Sequence, residues 1–220
     1  MKLAVIAPHP DDETLGCGGT ILNHIKNNWE VIWIIVTDMS KDDFKIQQIN
    51  HREKEIEQVR KLYNFKNVVR LKFNANRLDE YPTSEVVGSI FSTLHSFSPD
   101  TIFFPFSNDI HSDHRIVSKA VLSATKNFRL PSLKKLLMYE TISETDFGSN
   151  ALGKSFNPNV FYDISNTFKE KCDIFKIYES EVMNPPLPRS LDSIEALSKF
   201  RGSSIGKKYA EAFQLIKEII

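Results

Sequence analysis

His9-Pro10-Asp11-Asp12-Glu13 directly follows the apolar run Leu3-Ala4-Val5-Ile6-Ala7, and Asp109-Ile110-His111-Ser112-Asp113-His114 closely follows a second run, Thr101-Ile102-Phe103-Phe104-Pro105-Phe106. Runs of this length read as strands covered on both faces. Each polar cluster then sits where an open α/β sheet binds its ligands, at the C-terminal end of a strand. Imidazole nitrogen and carboxylate oxygen suit a hard or borderline divalent cation, and a catalytic zinc takes three protein ligands while leaving one position open. His9, Asp12 and His114 meet that requirement if the two strands are neighbours. Asp11, beside a ligand, is then the candidate base for a metal-bound water. His111 could stabilise an oxyanion or protonate a leaving nitrogen, and Asp113 could hold one of the imidazoles. Together these groups are the equipment of metal-assisted amide hydrolysis.

Blander readings compete at each position. Alone, His9-Pro10-Asp11-Asp12 is a proline turn with helix-capping aspartates; two such clusters after two buried runs favour a site. Gly16-Cys17-Gly18-Gly19-Thr20 lacks both the GxGxxG spacing and the lysine of a phosphate loop, so it reads as close helix-to-strand packing without a nucleotide. His111-Ser112-Asp113 also matches the HxD part of an iron(II) oxygenase triad, but those sites sit in β-barrels. A protein that holds a metal without turnover is a third reading, against which Asp11 and His111 argue, since neither is needed merely to hold an ion.

The elements that must position these groups alternate. Strands are expected at about 3–7, 31–36, 67–72, 101–106 and 135–139, separated by helices at about 20–27, 42–63, 84–97 and 113–126. That is the pattern of a mostly parallel sheet wound with helices on both faces. Residues 143–159, with Gly148, Gly153 and Pro158, read as a long loop, followed by a strand at 160–164. Thr167 and Glu170 form a capping-box signature ahead of a helix carrying Phe168, Cys172, Phe175 and Tyr178. Asn184 to Pro188 reads as a stiff, extended segment over the site or at an interface, ahead of a helix near 191–200. The last segment, from Tyr209 onward, reads as helix.

Composition narrows the partners. With 28 basic and 28 acidic side chains, there is no global field to hold nucleic acid or an anionic membrane. No run has the length of a membrane helix, and five apolar residues before Pro8 are too few for a signal peptide core. Two distant cysteines indicate neither a disulfide framework nor a thiolate zinc site. A cytoplasmic protein is expected, with 220 residues forming a single domain.

The motifs resemble those of the PIG-L/LmbE superfamily, metal-dependent deacetylases that remove acetyl from N-acetylglucosamine-containing substrates. Ala7-Pro8-His9-Pro10-Asp11-Asp12-Glu13, with Leu15-Gly16-Cys17-Gly18-Gly19-Thr20-Ile21 after it, is similar to the first family motif. Asp109 to Arg115 is similar to the second, and Arg52-x-x-Glu55 to the helix between them. Phe156-x-Pro158-Asn159, Lys171, Tyr178-x-Ser180, Arg201-Gly202 and Tyr209 to Phe213 extend the likeness toward bacterial sugar and thiol-glycoside deacetylases. The resemblance implies a Rossmann-like α/β fold, with a C-terminal extension of about 141–220 completing the substrate site. It implies His9, Asp12 and His114 as ligands of zinc, or of iron(II), with Asp11 as base and His111 as the electrostatic or acid partner; Asp113 joins the catalytic set through the imidazole it would hold. The substrate implied is a small N-acetylated amino sugar, linked to a nucleotide, lipid or thiol precursor, and a homo-oligomer is implied as well. Arg52 and Glu13 are the candidate substrate contacts, the alternative for Arg52 being an ion pair with Glu55.

Overall fold

A computed structural model describes residues 1–151, 153 and 155–220, giving only the backbone for 149–151. Five strands, β1 (Lys2–Ala7), β2 (Glu30–Asp38), β3 (Asn67–Asn74), β4 (Thr101–Pro105) and β5 (Lys135–Tyr139), are all parallel. With β6 (Val160–Asp163) and β7 (Ala210–Glu218) they form one sheet in the order β3-β2-β1-β4-β5-β7-β6. Alternation along β1 shows why the sheet is covered twice: Leu3, Val5 and Ala7 enter one core, Ala4 and Ile6 the other. The first core is closed by α1 (Asp12–Lys26), α2 (Ile46–Tyr63), α6 (Phe168–Phe175) and α7 (Leu191–Ser203). The second is closed by α3 (Thr83–Phe97) and α4 (Ser112–Ala124). This is the expected mostly parallel α/β sheet with helices on both faces.

β1 and β4 are adjacent, and the chain continues from them in opposite directions across the sheet, to β2 and β3 on one side and to β5 on the other. Their C-terminal ends therefore border the crevice in which open α/β sheets bind ligands. Both polar clusters emerge there.

Five elements differ from the sequence reading. The first helix begins at Asp12, not near Thr20, because it runs through the glycines with a kink at Cys17 (φ −147°). The glycines serve close packing: a Cβ on Gly16 would lie 2.3 Å from the Tyr139 ring. The expected loop at 143–159 contains a short α5 (Thr145–Ala151). The Thr167 hydroxyl caps nothing in its own helix and instead donates to the Gly19 carbonyl, 2.9 Å away, joining α6 to α1. Asn184 to Pro188 is a turn, closed by Leu187 N–H to the Asn184 carbonyl at 3.0 Å, where an extended segment was expected.

The segment after Tyr209 is the strand β7, not a helix. Its alanine, glutamate, leucine and lysine favour a helix only weakly. Insertion between β5 and β6 gives the backbone antiparallel ladders on both sides and buries Ala210, Ala212 and Phe213, which outweighs that propensity.

Candidate metal centre

Asp11 and Asp12 occupy the turn from β1 into α1. The Pro8 carbonyl, just after β1, accepts from both the Thr37 N–H (3.0 Å) and hydroxyl (2.8 Å), fixing this turn to β2. Asp11 takes φ 141°, a conformation that costs a non-glycine residue on the order of 1–3 kcal/mol. An aspartate preceding a helix ordinarily uses its carboxylate to cap the first N–H groups. Here it makes no such bond, and the carboxylate faces Arg189, with Oδ2 2.9 Å from Nη1.

Three donor groups converge beside it. Asp12 Oδ2 lies 3.4 Å from His9 Nδ1 and 3.2 Å from His114 Nε2. The far nitrogen of each ring is held by a carboxylate: His9 Nε2 by Asp113 Oδ2 at 3.0 Å, and His114 Nδ1 by Asp109 Oδ2 at 2.8 Å. With the ring protons directed to those carboxylates, the remaining lone pairs face Asp12. Asp12 Oδ1 is fully buried without a hydrogen-bond partner among the described residues. Two ring nitrogens and a carboxylate oxygen within 4.8 Å of one another, with an orphaned oxygen on the same carboxylate, fit a divalent cation.

The electrostatics agree. Burial alone would raise Asp12, but the charges and hydrogen bonds of His114 and His9 hold it well below the usual carboxylate range. Burial would lower His9 and His114, yet Asp113 and Asp12 raise His9 to about 9, and Asp12 and Asp109 raise His114 well above its usual value. The carboxylates thus demand positive charge, which protons supply when no ion does. Asp11 responds oppositely: burial and the neighbouring Asp12 push it well above the ordinary value, with Arg189 pulling it back. His9, His111 and Asp113 also converge. In that grouping, however, Asp113 is already engaged by His9 and by the Asn76 (2.7 Å) and Leu78 (3.3 Å) N–H groups.

His111 ends the loop before α4. Its Nδ1 accepts from the Asp113 N–H at 3.1 Å, so the ring proton sits on Nε2, which donates to Asn76 Oδ1 at 3.1 Å. Burial and the charges of His9 and His114 lower His111 to about 4, leaving it a neutral donor. Arg52 lines the pocket but is ion-paired, with Glu55 at 3.2 Å and with Glu181, and its Nη1 donates to the Pro10 carbonyl at 3.0 Å.

Glu13 corrects the expectation of a substrate contact, because it is fully buried beneath the turn. Its Oε2 accepts from the Asp11 N–H at 3.1 Å, and its Oε1 accepts from the Tyr178 hydroxyl at 2.8 Å and the Thr14 hydroxyl at 2.5 Å. Burial raises its carboxyl to about 7.

The sequence reading assigned no role to Asp109 or Arg189. Asp109 was part of the second motif, and its place at the end of a buried run, five residues before His114, was a usable signal. Arg189 follows the proline-rich turn and binds Asp11, Glu181 (2.8 Å), Glu144 (3.1 Å) and the Ser143 hydroxyl (2.8 Å). No periodicity announces those partners.

The family model for PIG-L, GlcNAc-PI de-N-acetylase, matches residues 4–125, which include both motifs and more than half of the chain. The chain belongs to this family. Among PIG-L relatives, a diacetylchitobiose deacetylase of Thermococcus kodakarensis is 23% identical over 99% of this chain and 84% of its own length. A probable N-acetyl-alpha-D-glucosaminyl L-malate deacetylase 2 of Bacillus cereus is 26% identical over 80% of this chain and 82% of its own. In structure, the chain superposes on the N,N'-diacetylchitobiose deacetylase of Pyrococcus horikoshii with a TM-score of 0.78 at 23% identity, covering 98% of this chain and 84% of that one. No helix among the described residues is long and apolar enough to cross a membrane.

Proposed function

We propose that this PIG-L protein hydrolyses the acetamide of an N-acetylated, GlcNAc-type amino sugar, releasing acetate and the free amine. The carrying observation is the convergence of His9, Asp12 and His114 with a second carboxylate, Asp11, turned out of its capping position beside them. Zinc, or iron(II), held by those three residues would polarise the acetamide carbonyl and acidify a water. Asp11 takes the proton of the attacking water, and its raised pKa suits that task. The same carboxyl is placed to return the proton to the departing nitrogen. His111, neutral with its proton on Nε2, would turn that proton from Asn76 Oδ1 to the developing oxyanion; its engaged Nδ1 argues against a role as the acid. Asp113 and Asp109 keep the two ligand rings oriented. Residues 141–220 complete the substrate site through Glu181 and Arg189, which line the pocket.

The test is acetate release from N-acetylglucosamine and its simple glycosides by metal-reconstituted protein. Release should disappear on chelation and fall by orders of magnitude in Asp11→Asn. Metal-loaded protein that releases no acetate from any of them would overturn the assignment, as would an Asp11→Asn protein of undiminished activity.

A further inference from the structure

The pocket over the metal centre has a cavity of about 270 Å³. His9, Asp11 and His111 mark the reacting end. Whatever the sugar is joined to must therefore pass over the other walls and the rim.

Three arginines line those walls, and each is already matched by carboxylates. Arg52 is held by Glu55 and Glu181. Arg70 is held by Asp38 at 2.7 Å and by Glu53. Arg189 is held by Asp11, Glu181 and Glu144. Asp11, Asp38, Glu53 and Glu181 themselves line the cavity, so its carboxylates outnumber its guanidinium groups. A phosphate or carboxylate on the aglycone would meet this fence and find among the lining residues no arginine free to receive it. Thr37 and Asn76 apart, the rest of the wall is apolar: Met39, Phe44 and Ile49 are half-buried and Ile56 is buried. An aromatic ring and branched side chains at a pocket mouth favour a group with an uncharged, apolar face.

Resting on the deacetylase reading above, we propose that the substrate is an uncharged N-acetylglucosaminide. Its aglycone presents an apolar face to Phe44 and Ile49, and the pocket discriminates against phosphate- and carboxylate-bearing aglycones. The discrimination is built from repulsion as much as attraction. The carboxylates that neutralise the arginines are the same groups that exclude an anion.

The experiment compares kcat/KM for acetate release from the methyl and phenyl glycosides of N-acetylglucosamine, its 1-phosphate and its malyl glycoside. The phenyl glycoside should equal or exceed the methyl one, and the two anions should fall at least about tenfold below it. Phe44→Ala should raise KM for the phenyl glycoside severalfold with kcat unchanged. Asp38→Asn with Glu53→Gln, which frees Arg70, should raise the relative kcat/KM of the 1-phosphate about tenfold. Anions turned over as well as the methyl glycoside would overturn the proposal. Calorimetric binding to chelated wild-type protein, which keeps every carboxylate of the wall, separates it from the reading it rests on. The same order of affinity without acetate release from the wild type would sink the deacetylase assignment and keep the specificity. Tighter binding of the anions would sink the specificity alone.

Discussion

Glu13 should control the reaction without touching what reacts. It holds the turn at Asp11 through the backbone N–H and is itself held by Tyr178 and Thr14, with Tyr63 donating to the Thr14 hydroxyl at 3.0 Å. Removing the side chain in Glu13→Ala leaves three donors buried and unpaired, at about 1–3 kcal/mol for each, so a loss of at least about 3 kcal/mol is expected before the cavity is counted. Glu13→Gln is the more informative change. A glutamine amide can still accept from the Asp11 N–H through oxygen, while its nitrogen obliges the Tyr178 and Thr14 hydroxyls to accept where they now donate, so the fold should survive at less cost than in Glu13→Ala. The neutral acceptor weakens a charge-assisted hydrogen bond by about 1 kcal/mol or more, against a turn that stores a comparable strain. Asp11 then relaxes toward ordinary φ and its carboxylate shifts, and a displacement near 1 Å costs about 100-fold in rate. Steady-state kinetics on metal-loaded Glu13→Gln should show kcat down about 10–100-fold with KM and metal content unchanged. Full kcat in this variant, or an equal loss of KM and metal, would refute the claim that Glu13 acts through Asp11.

Asp109→Asn should weaken metal affinity about 10–100-fold in competition with a chromophoric chelator, because the carboxylate that orients His114 loses its charge; an unchanged affinity would contradict that role. Gly16→Ala should lower stability by about 1–3 kcal/mol despite the better helix propensity of alanine, since the Tyr139 ring is pinned by its hydroxyl to the Ile6 carbonyl at 2.9 Å and cannot swing away. A melting temperature that stays or rises would show that the sheet yields more than the contact implies. His24, buried against Trp29 and bonded to the Thr20 carbonyl at 2.8 Å, has its pKa lowered, chiefly by burial. Below pH 6.5 the unfolded chain accepts a proton that the folded one refuses, so stability falls as pH falls from 6.5 toward the lowered value. Denaturant midpoints of His24→Gln should slope less over that window, and an identical slope would assign the acid loss elsewhere.

The parts of the site visible in the sequence were those where local pattern and chemistry coincide. His9, Asp12 and His114 each follow a buried strand, and strand order at a switch point brings such ends together. What escaped depends on pairings without a period. Arg189 meets Asp11 across 178 positions of chain, and Glu144 and Glu181 join it from segments whose composition signals only turns. The glycines of α1 were legible as close packing but not as helix interior, because the groups they make room for, Tyr139, Tyr63 and Ile164, lie in other elements. β7 carries helix-forming residues, and only the two strands beside it decide its conformation.

That strand also links the beginning of the chain to its far end. Glu211, in β7, accepts the N–H groups of Gly19 (3.0 Å) and Thr20 (2.7 Å) just past the kink of α1, and Lys171 bridges the same carboxylate to the Leu15 carbonyl. On the ribosome, the turn bearing Asp11 and Asp12 is made long before β7. The group that finishes its helix arrives almost two hundred residues later. Until then β5 and β6 lack the strand between them, and the kinked helix lacks its cap. Assembly of the site is thereby timed to the synthesis of β7, and a growing chain carries His9, Asp12 and His114 before the helix that presents Asp12 is complete.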